Sequence, residues 1–84
     1  MIVVRCIVIY NVRILQYGHK QKFGKNLKRL RLEKGISQET LALTADLDRT
    51  YIPSIEKGLR NVSITVVEKL AIALNADISE FFKD

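Results

Sequence analysis

The 84-residue sequence has very few of the residue types that build metal centres and disulfides. It contains one cysteine, one histidine and no tryptophan. A single cysteine excludes an intramolecular disulfide, and without clustered His and Cys no metal-ligand set or cofactor is predicted. Cys6 lies among apolar residues, where a thiol behaves as a small hydrophobic side chain. This cysteine usage favours a reducing, cytoplasmic environment.

No apolar stretch is long enough to span a bilayer. The most apolar segment, residues 1–15 (MIVVRCIVIYNVRIL), is interrupted by Arg5, Asn11 and Arg13, whereas a spanning helix needs about 20 apolar residues. Because Arg5 lies inside the apolar run and no small-residue cleavage site follows, a secretory signal is not expected either. The sequence therefore predicts no membrane association.

The same segment is rich in β-branched residues, which favour extended structure. Two interpretations of residues 1–20 stay open: a strand or strand pair that another surface must cover, or a disordered extension outside the domain. An uncovered strand pairs readily with another chain. Residues 1–15 are therefore also a candidate surface for a protein partner or for a dimer axis.

From residue 21 onward the apolar spacing is that of amphipathic helices. It predicts one domain, residues 21–84, as an all-α bundle of about five helices. The predicted helices run from about Phe23 to Lys34, from the capping Ser37 to Thr44 or Ala45, from the capping Asp48 to Lys57, and from the capping Ser63 to Asn75, with a short turn at 77–82. The residues predicted to face the core are Phe23, Leu27, Leu30, Leu41, Ala42, Ala45, Ile52, Ile55, Ile64, Val67, Leu70, Ala71, Leu74, Ile78 and one of Phe81 and Phe82.

The only proline conflicts with the third of these helices. If Asp48 is the cap, Pro53 lies about five residues inside, where a missing N–H and a steric clash cost about 3 kcal/mol. We therefore expect a bent or tightened first turn. Pro53 would lie on the same exposed side as Arg49 and Thr50.

Charge is distributed unevenly within the formal net charge of +5. Residues 20–34 contain seven basic side chains and one acid, whereas residues 65–84 contain two basic side chains and four acids. This asymmetry predicts one basic and one acidic end of the fold, and it is typical of a surface that meets polyphosphate. A solvated helix face without a ligand is the alternative.

Two short helices joined by a three- or four-residue corner are what a helix-turn-helix requires. The first helix supports the unit, and the second presents its N-terminal residues to the DNA major groove. The small residues Ala42 and Ala45 permit the close crossing. In contrast, the sequence has no paired carboxylates, no nucleophile with a base and no phosphate-cradling glycine loop, so an enzyme is not predicted.

The stretch SQETLALTADLDRTYIPSIEKGLRNVSITVVEKLAIALNADISEFF resembles the Cro/repressor-type (Xre-like) helix-turn-helix domain. The resemblance covers roughly Phe23 to Phe82, and LDRTYIPSIEKGLRNVSI is especially similar to controller proteins of restriction–modification systems. It implies a transcriptional regulator that binds double-stranded DNA in a sequence-specific manner, as a homodimer on a palindromic operator. The alternative is an antitoxin-like or other protein-binding module that uses the apolar N-terminal segment. Asp46 stands where relatives have glycine, and we expect Asp to keep the left-handed turn.

The resemblance also implies roles for individual residues. The base contacts would come from Arg49, Thr50 and Ser54. From its place on the same exposed side, Pro53 is expected to join them with an apolar surface against a thymine methyl or a sugar. Backbone contacts would come from Gln38, Tyr51, Lys57, Arg60 and Asn61. Packing of the ring against the core is the alternative for Tyr51, and a solvated charge is the alternative for Arg60.

Two further sets of residues have structural roles. Arg31 and Glu56 match positions that form an ion pair between the first and third helices. The dimer interface would be built by apolar residues that lie off the core face of the last helices. These are Val66, Ile72, Ala73, Phe81 and Phe82, of which one phenylalanine would turn inward.

Overall fold

Four α-helices and a C-terminal 3₁₀ helix surround one core in the computed structural model, which describes residues 20–84. They are α1 (Lys20–Glu33), α2 (Gln38–Thr44), α3 (Tyr51–Glu56), α4 (Ile64–Leu74) and the 3₁₀ helix (Ile78–Phe82). The all-α prediction is therefore confirmed for this part of the chain, with four α-helices in place of about five. The expectations for residues 1–19 lie outside the described residues.

The core consists mainly of the side chains that the helical spacing predicts. All the predicted residues of α1, α2 and α3 are buried, as are Val67, Leu70, Ala71 and Leu74 of α4. The predictions for Ile64 and Ile78 are wrong, because these residues open their helices at the edge of the bundle and are exposed. Phe81 is the phenylalanine that turns inward, and its ring stacks on Phe23 with 4.9 Å between centroids.

Helix α1 begins three residues before its predicted start, at Lys20. Gly24 lies inside the helix, at the point where α1 crosses α3. A Cβ atom at this position would be 2.1 Å from the carbonyl oxygen of Ile55. Glycine is therefore required for the close approach of the two backbones, although it is a poor helix former.

Local hydrogen bonds fix the helix ends and the corner between α2 and α3. The Ser37 hydroxyl accepts the Thr40 N–H at 3.0 Å, and Ser63 caps α4 in the same way. Asp46 adopts the left-handed conformation, with φ 58°, so the expected turn at this residue is confirmed. The next residue, Leu47, donates its N–H to the Ala42 carbonyl at 2.8 Å and packs on the core.

The prediction of separate basic and acidic ends is wrong. Acids of the C-terminal segment lie against the basic helix α1, because that segment packs along it. Lys22 pairs with Asp84, and Arg29 lies 3.6 Å from Glu80. The Asn26 amide secures the same contact by donating to the carbonyls of Phe81 and Lys83, at 2.9 and 2.7 Å.

Candidate nucleic-acid interface

Helices α2 and α3 form the predicted helix-turn-helix, and the candidate surface lies at three of its chain segments. These are the start of α2, the residues that lead into α3, and the loop that follows α3. The apolar faces of both helices are buried, with Leu41, Ala42, Ile52 and Ile55 in the core. The predicted contact residues lie on the remaining faces of α2 and α3 and in the segments that adjoin α3.

Helix α3 begins at Tyr51 rather than directly after Asp48. The Asp48 carboxylate accepts the Thr50 N–H at 2.8 Å and the Thr50 hydroxyl at 2.7 Å. This side-chain turn competes with the helical conformation of residues 48–50 and delays the helix. The two hydrogen bonds from Thr50 also lower the pKa of Asp48.

The late start of α3 removes the conflict at Pro53. Pro53 is the third residue of the helix, and the first N–H groups of a helix have no intrahelical acceptor. The missing N–H therefore leaves no gap in the helical ladder, and the predicted loosening of the first turn is not required. Pro53 is half-buried and lines a shallow groove together with Gln38, Glu39, Arg49 and Thr50.

Arg49 and Thr50 are exposed at the mouth of this groove. Among the described residues the Arg49 guanidinium has no hydrogen-bond or ion-pair partner, so its donors face solvent. The Thr50 hydroxyl donates its proton to Asp48, which leaves its oxygen as an acceptor and its methyl group as an apolar contact. The two residues therefore present different chemistry side by side.

Arg60 contacts two residues of α3, Ser54 and Tyr51. The Ser54 hydroxyl donates to the Thr50 carbonyl at 2.9 Å and accepts from Arg60 Nε at 3.3 Å. The Arg60 guanidinium lies over the Tyr51 ring, 4.2 Å from its centroid, and the ring packs on the core edge. Arg60 is thus attached to α3 and is not a solvated charge. Lys57 and Asn61 are exposed beside this group.

Arg31, Glu56 and Gln38 join α1, α2 and α3 beneath the surface. Arg31 Nε lies 2.6 Å from Glu56 Oε2, and Arg31 Nη1 donates to the Ile36 carbonyl at 2.9 Å. Gln38 Nε2 donates to Glu56 Oε1 at 2.9 Å. The sequence analysis missed this contact of Gln38, because no spacing rule relates residues 18 positions apart on different helices.

The predicted dimer residues differ widely in exposure. Ile72, on the outer face of α4, is 73% exposed, whereas Val66, Ala73 and Phe82 are half-buried and pack on the core. The prediction for Phe81 is wrong, because this ring is completely buried against Phe23 and has no surface to offer.

Neither a spanning helix nor a metal-binding group is found in the part of the chain that the structure describes. None of its helices has the length and apolar character needed to cross a membrane. Residues 20–84 also contain no group of three or more His, Cys, Asp or Glu side chains that could hold a metal ion.

A model of the helix-turn-helix family matches residues 27–81, which include all three segments of the candidate surface. The chain belongs to the Xre-like helix-turn-helix family. This helix-turn-helix protein is 52% identical over 66 residues to control protein C.MunI of a Mycoplasma species, covering 77% of the chain and 89% of that protein. It is 46% identical over 65 residues to control protein C.BamHI of Bacillus amyloliquefaciens, covering 76% and 72% of the two chains.

A solved structure agrees with these relatives. The restriction–modification controller protein C.AhdI from Aeromonas hydrophila superimposes on the helix-turn-helix protein with a TM-score of 0.74 and 48% identity. The match covers 79% of this chain and all of C.AhdI. The helix-turn-helix protein is therefore a transcriptional regulator of the restriction–modification controller type.

Proposed function

We propose that this regulator binds a palindromic DNA operator as a homodimer and controls the genes of a restriction–modification system. The observation that carries the proposal is the exposed group of Arg49, Thr50 and Pro53 at the start of α3. In a helix-turn-helix these are the positions that enter the major groove. The similarity to control proteins C.MunI and C.BamHI supports the assignment of the regulated genes.

Base reading would be divided among these side chains. Arg49 can donate two hydrogen bonds to the O6 and N7 atoms of one guanine. Thr50 offers an acceptor and a methyl group, and Pro53 offers an apolar surface to a thymine methyl or a sugar. Ser54 already donates to the Thr50 carbonyl, so its base contact would use the remaining lone pair on its hydroxyl oxygen.

Phosphate contacts would surround this centre and fix its orientation on the duplex. Lys57 and Arg60 supply positive charge after α3, while Gln38, Tyr51 and Asn61 supply neutral donors. Each lysine or arginine that neutralises a phosphate releases counterions, so binding through these residues weakens as salt increases.

A homodimer would place two recognition helices on one face of DNA. The exposed Ile72, together with the half-buried Val66, Ala73 and Phe82, supports α4 and the 3₁₀ helix as the two-fold interface. Dimers of this class read two half-sites about one helical turn, roughly 34 Å, apart. Because the proposed ligand is genomic DNA, the proposal also places the protein in the cytoplasm.

The direct test is selection of bound sequences from a random duplex library, followed by gel shifts on the selected site and on a scrambled site of equal length. We expect a palindromic consensus and a preference of at least about 10³-fold for the selected site at physiological salt. Binding that ignores sequence and disappears at moderate salt would contradict the proposal.

A further inference from the structure

The Glu56 carboxylate accepts a hydrogen bond from Gln38 in addition to those of its ion pair with Arg31. Its side chain is 4% exposed, and its Oε1 atom accepts from both Arg31 Nη2, at 3.1 Å, and Gln38 Nε2, at 2.9 Å. Its Oε2 atom accepts from Arg31 Nε at 2.6 Å. One buried acid therefore contacts a structural arginine on α1 and a surface glutamine at the start of α2.

This contact determines which way the Gln38 amide faces. If the amide were flipped, the Gln38 carbonyl oxygen would lie against the Glu56 carboxylate, and two acceptors would oppose each other without a proton. The NH₂ group must therefore face Glu56. One of its two N–H bonds is used there, and the other is left as a donor at the groove that Gln38 shares with Arg49 and Pro53.

We infer that Glu56 is a positioning residue that directs the second N–H of Gln38 toward a DNA phosphate. The inference rests on the proposed function, since it gives Gln38 a phosphate as its partner. A phosphate is an acceptor only, so a side chain that presents its N–H is productive and one that presents its carbonyl oxygen is repelled. Glu56 supplies this orientation before DNA arrives, which lowers the entropy cost of the contact.

The first experiment needs no DNA. NMR of the side-chain amides of the full chain, with Gln38→Met to assign the signals, reports whether the Gln38 NH₂ group is fixed. We expect one of the two proton signals to be shifted downfield by the carboxylate, beyond the position that it has in a solvated glutamine. Two signals at the ordinary shifts of a solvated glutamine would overturn the inference.

The second experiment separates positioning from stability. Arg31→Met with Glu56→Leu removes both charges at once, a replacement that leaves many proteins as stable as before. The apolar side chains can support the fold, but they cannot orient Gln38. Thermal melts establish that this double variant is folded, and Gln38→Met is then measured for operator binding in the wild-type and double-variant backgrounds.

We expect Gln38→Met to weaken operator binding by about tenfold in the wild-type background, as for a lost hydrogen bond to a charged group. In the double-variant background the same substitution should cost less than about twofold. The salt dependence should not change with Gln38→Met, because a neutral donor releases no counterion. Equal losses of operator binding in both backgrounds would overturn this inference but not the proposed function. A wild-type protein that binds DNA without sequence preference would overturn both.

Discussion

At the scale of single residues, Arg49 is the side chain whose substitution should separate specific from non-specific binding. Arg49→Lys keeps the positive charge but loses the planar fork that bonds two guanine acceptors. We expect binding to the selected operator to weaken by about 1–3 kcal/mol, with little change on a scrambled duplex. Gel shifts on both duplexes measure the difference. An equal loss on both would make Arg49 a backbone contact.

Gly24 supports a stability prediction of the same kind. In Gly24→Ala the added Cβ would lie 2.1 Å from the Ile55 carbonyl oxygen, so α1 and α3 must separate. Although alanine is the better helix former, we expect a loss of about 1–3 kcal/mol, as for other overpacked sites. Urea unfolding measures it, with Lys25→Ala on the exposed side of α1 as the comparison. Equal stability of both variants would contradict the close crossing.

Contacts within one helix could be predicted from the sequence, whereas contacts between helices could not. The core positions of α1 to α3 follow from a repeat along one helix, and such a repeat is visible in the sequence. The contact between Gln38 and Glu56 depends instead on how α2 meets α3. The same is true of the choice between Phe81 and Phe82, which is decided by the space beside Phe23.

At the scale of the helix, Pro53 should be important for recognition and of little importance for folding. Pro53→Ser and Pro53→Ala restore an N–H that has no acceptor in the first turn and give the unfolded chain more freedom. We expect each to lower the free energy of unfolding by only about 0.4–1 kcal/mol. Both should change the selected operator sequence, because the apolar ring is lost from the groove. Repeated library selection measures this, and an unchanged consensus would leave the ring without a role in DNA binding.

The turn at the start of α3 should depend on pH. Hydrogen bonds from Thr50 lower the pKa of Asp48 below its ordinary value of 3.8. The ionised carboxylate therefore contributes fully to the free energy of unfolding at neutral pH. This contribution is lost as the pH falls below 3.8 toward the lower pKa of the folded state. In Asp48→Asn this contribution does not titrate. Thermal melts at several pH values should therefore show a stability difference between wild type and variant that changes only below about pH 4. A difference that is constant with pH would show that the ionised Asp48 carboxylate does not stabilise the turn.

Helix boundaries were predictable where a cap stands alone and not where two local structures compete. Ser37 and Ser63 each have one helix to cap, and both do so. Asp48 can cap a helix or close a turn on Thr50, and it closes the turn. The start of α1 was predicted three residues late, at Phe23, because the polar residues 20–22 add nothing to the apolar repeat.

At the scale of the whole molecule, the proposed DNA surface and the proposed dimer surface belong to different helices. Helix α3 packs on α1 and α2, whereas α4 packs on α2 and the 3₁₀ helix. The outer face of α4 carries the exposed Ile72. A charge placed on that face should alter assembly without altering the proposed DNA groove.

Ile72 and Leu43 provide a matched test of assembly. Both are large apolar side chains on the surface, 73% and 83% exposed to solvent, but only Ile72 lies on the proposed interface. Ile72→Glu would bury an unpaired charge in the dimer, which costs roughly 2–5 kcal/mol. Leu43→Glu places the same charge on α2, outside that interface. Sedimentation equilibrium without DNA should give a dimer for wild type and Leu43→Glu and a monomer for Ile72→Glu. If Ile72→Glu stayed dimeric, or if Leu43→Glu became the monomer, the two-fold interface could not lie on α4.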